Sequence, residues 1–219
     1  MTPDYSALVD RLKYDEGGNI DGEIVTCGAQ CVPALANLLK TGSYPVKVHV
    51  AWVLAKMGPA GAAAVPALVE TLKNGEPLLR IHSARALGGG HIVHMPNNWG
   101  QDFGFVWIAM AFSTQGIHAN PELSVPALVA ALKDGDKDVR SQAAQALASF
   151  KTSTVSREAT KVALAQALVD KESIEVRVWA AFNLALRGEK TALDTLITVL
   201  KTGTSNPSFH WEGRFILEP

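Results

Sequence analysis

Few residues in this sequence could do chemistry, and most of them are suited to gripping a surface rather than to reacting. Trp52, Trp107, Trp179 and Phe182 offer large rigid area, while Arg85, His49 and His82 offer directional contacts. His91 and His94, three residues apart, could approach a metal if folding brought His82 or His118 near. Two histidines in one loop-like stretch are a weak donor set, so no metal is expected. There is no G-x-S-x-G, no P-loop and no H-E-x-x-H. The carboxylates mostly fall in turn-like stretches, where helix capping accounts for them. Cys27 and Cys31 are the two cysteines. With no secretory context they are expected to be reduced, partly buried thiols. The residue inventory thus leans away from an enzyme and implies no cofactor.

What must position these side chains is a repeated pair of short helices. In Val125–Phe150, residues Val125, Leu128, Val129 and Leu132 recur as one apolar stripe. Pro126 stands at the opening of that helix, where a missing N–H is harmless. Asp134-Gly135-Asp136 then breaks the helix, and Val139, Ala143, Ala144 and Leu147 resume the stripe on a second one. Neither helix hides its stripe alone, so the unit needs neighbours like itself. Copies begin at Cys31, Val65, Val162 and Ala192, and the first helix of another carries Leu8, Val9 and Leu12. Pro33 and Pro66 are 33 residues apart. Pro66 and Pro126 are 60 apart, which is room for two units.

The pattern V-P-A-L-V…L-K-[DN]-G…V-R…A-A…A-L resembles HEAT repeats, in the short form called PBS-lyase HEAT-like. It is carried most fully by 31–90 and 125–188. The resemblance implies an all-α fold, a right-handed α-solenoid of HEAT-like helical hairpins. The chain 1–219 is read as a single domain of about six or seven units, with one irregular repeat and its long loop at 88–124. Helices are expected near 3–14, 31–40, 45–57, 65–74, 77–88, 103–113, 123–133, 137–150, 157–169, 173–187, 190–201 and 207–217. The resemblance also implies that second helices line the concave side. Stacking the copies then gives one column of His49, His82, Gln142 and Trp179, and another of Trp52, Arg85, Gln145 and Phe182. Trp107 joins the second column if VWIAMAF is aligned with AWVLAKM. The arginine of the V-R pair falls at Arg80, Arg140 and Arg177. In the family it ties the turn of one unit to the next, through an aspartate such as Asp134 or Asp170.

The stretch from Gly88 to Gly100 interrupts the pattern with three glycines, Pro96, Asn97 and Asn98, which will not hold a helix. A loop of this length in a tight solenoid is often functional. His91, His94 and Trp99 therefore join Trp52, His82, Arg85, Trp107, Trp179 and Phe182 as expected contacts for a partner. Charge bears on the choice of partner: 20 basic residues are interleaved with 21 acidic ones, without the basic stripe that a phosphate backbone calls for. The longest apolar run, 58–69, is too short to cross a bilayer, and no signal-peptide pattern opens the chain. The expectation is a cytoplasmic, non-enzymatic binding scaffold that holds another protein or peptide in its groove, with neither nucleic acid nor membrane as partner. The resemblance leaves two alternatives, a bilin lyase-type chromophore-handling subunit and a HEAT-like DNA glycosylase. The apolar end around Phe215, Ile216 and Leu217 adds self-association as an expectation.

Overall fold

The structure, a computed structural model, describes residues 6–13, 21–89, 116–190 and Ala192. Among the described residues α1 (Ser6–Asp10, continued by a 3-10 turn to Lys13) and α2 (Asp21–Cys27) come first, and four helical hairpins follow: α3 (Val32–Thr41) with α4 (Tyr44–Met57); α5 (Val65–Asn74) with α6 (Pro77–Gly88); α7 (Pro121–Ala131) with α8 (Lys137–Leu147); and α9 (Arg157–Ala167) with α10 (Ile174–Leu186). No strand occurs among these residues. First helices pack on first helices in the order α1, α3, α5, α7, α9, and second helices on second in the order α2, α4, α6, α8, α10. The fold is an all-α solenoid.

The apolar stripes cause this stacking. Val125, Leu128, Leu132, Val139, Ala143, Ala144 and Leu147 are all buried, whereas Val129 is only half-buried. Pro33 and Pro66 occupy the first turns of α3 and α5, as their fixed φ favours. In α7 the helix begins earlier than expected, at Pro121, so Pro126 lies inside it rather than at its opening. There it costs the hydrogen bond its N–H would have made to the Glu122 carbonyl. The helix α2 was not expected at all. It is a short second helix for the first unit, with Asp21 and Glu23 in its first turn and Ile24 fully buried.

The 60-residue spacing between Pro66 and Pro126 does not hold two stacked units. Helix α6 packs directly on α8, and α5 on α7. The approach is close because the facing residues are small: a Cβ on Gly88 would lie 2.6 Å from the Ala146 Cβ. Gly89 and Gly116 are in backbone contact. Beyond them, the Ile117 and His118 amides donate to the Ala86 and Leu87 carbonyls at 2.8 and 3.0 Å. Buried Ile117 then seats its side chain over Gly61, where an added Cβ would lie 3.0 Å from Ile117 Cδ1. Residues 90–115 lie outside the described residues, and with them the helix expected at 103–113 and residues His91, His94, Trp99 and Trp107. So do most of 190–201, all of 207–217 and the apolar end invoked for self-association.

Cys27 and Cys31 form a disulfide, in place of the expected free thiols. Four residues apart across the junction of α2 with a 3-10 turn (Gly28–Cys31), they lie on one side of the chain with Cα atoms 5.9 Å apart. Tyr44–Asn74 is long and apolar enough to cross a membrane by length and composition, but 56% of that window is buried inside the protein. It also comprises two helices joined by the 3-10 segment Gly58–Ala64, so its apolarity is that of a solenoid core.

Candidate functional site

Two sets of side chains stand on the second helices, and they do different work. The first is a ladder of arginines at the inter-helix turns. Arg80 donates to the Gly75 carbonyl of its own turn at 2.7 Å and to Asp134 Oδ1 of the next turn at 2.9 Å. Arg140 repeats the arrangement one unit on. It holds the Asp134 carbonyl at 2.9 Å while its fork takes both Asp170 oxygens, at 2.7 and 3.2 Å, and Glu172 Oε2 at 2.8 Å. Hydrogen bonding to Asp170, helped by Glu172, holds the Arg140 guanidinium above its ordinary range against the cost of burial. These arginines bolt unit to unit, as the resemblance implied.

The second set is a row of half-buried residues two, five or more positions further along each second helix. On α4 it comprises His49, Trp52 and Lys56, on α6 His82 and Arg85, and on α10 Trp179 and Phe182. The intervening residues of α4 and α6, such as Val50, Val53, Leu54, Ala84 and Leu87, are buried. Spacings of three and four therefore place the row on the edge of the face that is turned away from the core. Trp52 and Trp179 each lay one side of the ring against the core, so packing fixes their orientation. Lys56 Nζ sits 3.4 Å from the centroid of the Trp52 ring, a cation–π contact. His49 tilts against the same ring at 5.9 Å, and Trp179 meets Phe182 edge to face at 5.7 Å.

The row is continuous in register but not in exposure. At α8 it is occupied by Gln142 and Gln145, which are only 5% and 7% exposed. The Gln142 amide donates to the Gly89 carbonyl and to Gln145 Oε1, both at 3.3 Å. Two exposed lobes result, α4–α6 and α10. Behind the second, the Asn183 amide donates to the Ala144 carbonyl at 2.7 Å, and Arg187 reaches from Asn183 Oδ1 to the Leu147 carbonyl.

Asp21 is the residue of this face that sequence reasoning missed. It is 4% exposed, accepts or shares a proton with His49 Nε2 at 2.7 Å, and lies 3.6 Å from Lys56 Nζ. Its helix is short and follows Gly17-Gly18, which reads as a break, so no periodicity marked it.

His82 and Arg85 have the opposite character. His82 Nδ1 and Arg85 Nε are buried and without a hydrogen-bond partner. Burial lowers the His82 pKa from its ordinary 6.5 to about 4, with the Arg85 charge adding to the effect. Burial likewise pushes Arg85 below its ordinary range. A depressed histidine binds its proton less readily folded than unfolded. Its contribution to stability is whole above pH 6.5 and is lost as pH falls toward about 4. Denaturant unfolding followed across that window should show stability falling with pH, and His82→Asn should flatten the slope there.

The fold defines a helical-repeat solenoid; among the described residues no group of three His, Cys, Asp or Glu could hold a metal ion. The family model of the HEAT repeat matches residues 125–152, and so supports the HEAT repeat family for the unit α7–α8. Two crystal structures of engineered proteins from the Northeast Structural Genomics Consortium are similar in fold. One is 22% identical, covering 94% of this chain and 91% of that chain with a TM-score of 0.51. The other is 19% identical, covering 94% and 93% with a TM-score of 0.51. No curated protein matches the chain.

Proposed function

We propose that the protein is a non-enzymatic scaffold of the HEAT class that holds a protein or peptide partner on its second-helix face. The repeats are read as the short PBS-lyase-like form, on the residues that carry that resemblance. The observation behind the reading is the row Trp52, His82, Arg85, Trp179 and Phe182. A solenoid that needed only to be soluble would fill such positions with Lys, Glu and Gln. Rings held in place by the core supply contact area at low entropic cost, and Arg supplies a planar fork for directional bonds. Only truncations at contact hot spots cost about 2 kcal/mol or more, which is enough to abolish capture at ordinary concentrations.

The test is affinity capture from native lysate. Trp52→Ala or Arg85→Ala should lose the partner that the unaltered chain retains, with helix content unchanged by circular dichroism. Glu70→Ala, Lys73→Ala and Lys133→Ala, on or beside the first helices, should retain it. The reverse pattern would move the working surface to the first-helix face.

A further inference from the structure

The second-helix layer is net basic, although the whole chain is near neutral. The helices α4, α6 and α8 carry two basic residues each and α10 one, against the acidic Asp21 and Glu23 of α2, Asp138 and Glu175. The first helices α3, α5, α7 and α9 balance Lys40, Lys73, Arg157 and Lys161 with Glu70, Glu122 and Glu158. Within the second-helix layer Arg80 pairs with Asp134, Arg140 with Asp170 and Glu172, and Lys56 with Asp21. Lys47, Arg85, Lys137 and Arg177 have no carboxylate partner among the described residues, and two of them, Lys47 and Arg85, stand on the adjoining helices α4 and α6. The Arg85 Nε is also buried without a hydrogen-bond partner. Arg85 stands half-buried on α6, in register with Trp52 on the adjoining α4.

We propose that the α4–α6 lobe takes an acidic peptide segment, seating a partner Asp or Glu carboxylate on Arg85 and an apolar or aromatic partner side chain against Trp52. This deepens the scaffold reading above and rests on it. A guanidinium partly withdrawn from water and left without an anion is poorly solvated; a carboxylate in its fork restores two charge-assisted hydrogen bonds. His82, neutral at pH 7, brings no second charge to repel, and its ring offers a further hydrogen bond. A half-buried cation on the helix beside Trp52 fits one carboxylate among apolar neighbours. Polyanions such as nucleic acid call for a basic track, whereas this chain interleaves 21 acidic residues with its 20 basic ones.

The proposal is tested by panning a displayed library of short random peptides against the full chain and against Arg85→Gln. Enriched sequences should carry an excess of Asp and Glu beside aromatic residues, and the acidic excess should vanish with Arg85→Gln. In the best peptide, exchanging the key Glu for Gln should weaken binding at least about tenfold, the effect of losing one charge-assisted contact. Enrichment of neutral apolar peptides that need Trp52 would overturn the acidic preference while leaving the scaffold reading intact. Failure to enrich any peptide would overturn the proposal, and the scaffold reading would then stand or fall on the capture experiment. An acidic excess that survives Arg85→Gln would remove Arg85 from the role. A single-stranded oligonucleotide that binds more tightly than the best peptide would overturn the choice of ligand.

Discussion

Leu128→Ala and Leu147→Ala should each lower the free energy of unfolding by about 2–5 kcal/mol. Both side chains are fully buried, one on each helix of the α7–α8 hairpin. Leu147 is followed by Ala148–Phe150, a 3-10 turn that continues its packing, so the loss of its side chain leaves a void that Ala-rich neighbours are too short to fill. Lys137→Ala, at an exposed position, is the control. In urea titrations the midpoints of the leucine variants should fall well below that of Lys137→Ala. Midpoints equal to the control's would mean that the stripe does not form the core. A solenoid couples each unit mainly to its neighbours, so damage at α7–α8 also removes the surface on which α6 and α10 pack.

Arg140→Ala should be as damaging, at about 3–5 kcal/mol, because it strands a carboxylate that the fold has withdrawn from water. The Arg140 and Asp170 side chains are each 10% exposed, and the guanidinium also holds the Asp134 carbonyl. Arg140→Lys should recover only part of the loss, since an ammonium cannot take both Asp170 oxygens in one fork. Asp170 carries a pH signature as well. Burial pushes its carboxyl up, but hydrogen bonds from Arg140 and from the Ser173 and Glu172 amides more than reverse this, leaving it below the ordinary carboxylate range. Its stabilising contribution is therefore whole above the ordinary carboxylate pKa and is lost as pH falls through the depressed one. Arg85→Ala should behave quite differently in the same unfolding assay. It removes a half-buried cation with no carboxylate partner, so the fold loses little. The same residue type in one helix layer thus serves as a bolt at Arg140 and is left without a carboxylate at Arg85.

That contrast shows what was legible in the sequence. The 3.6-residue periodicity is strong in α3, α5, α8 and α9 and weak in α4, α6 and α7, whose places followed from their likeness to the other copies; bounds such as Val65–Asn74 and Pro77–Gly88 matched the expectation. The Arg140–Asp170 pairing was anticipated by the resemblance, which implied that the arginine of the V-R pair ties one turn to its neighbour through an aspartate such as Asp170. Three things were not. Helix α2 is seven residues long and has too few turns to show a period. The 60-residue spacing counted chain length, whereas direct packing of α6 on α8 depends on the backbone contact between Gly89 and Gly116, which no local pattern encodes. The burial of Gln142 and Gln145 was hidden for a related reason: the Gly89 carbonyl that bonds Gln142 lies 53 residues away in the chain. Residue type alone would have left those glutamines in water.

The central claim is that the second-helix face is where a partner sits, and site-specific photocrosslinking in cells tests it most directly. A photoreactive residue at Trp52, Arg85 or Trp179 should yield one shared crosslinked protein species, while the same residue at Glu70, Lys73 or Lys133 should yield none. Crosslinks that form only from Glu70, Lys73 or Lys133 would contradict the account, since the partner would then lie against the first helices.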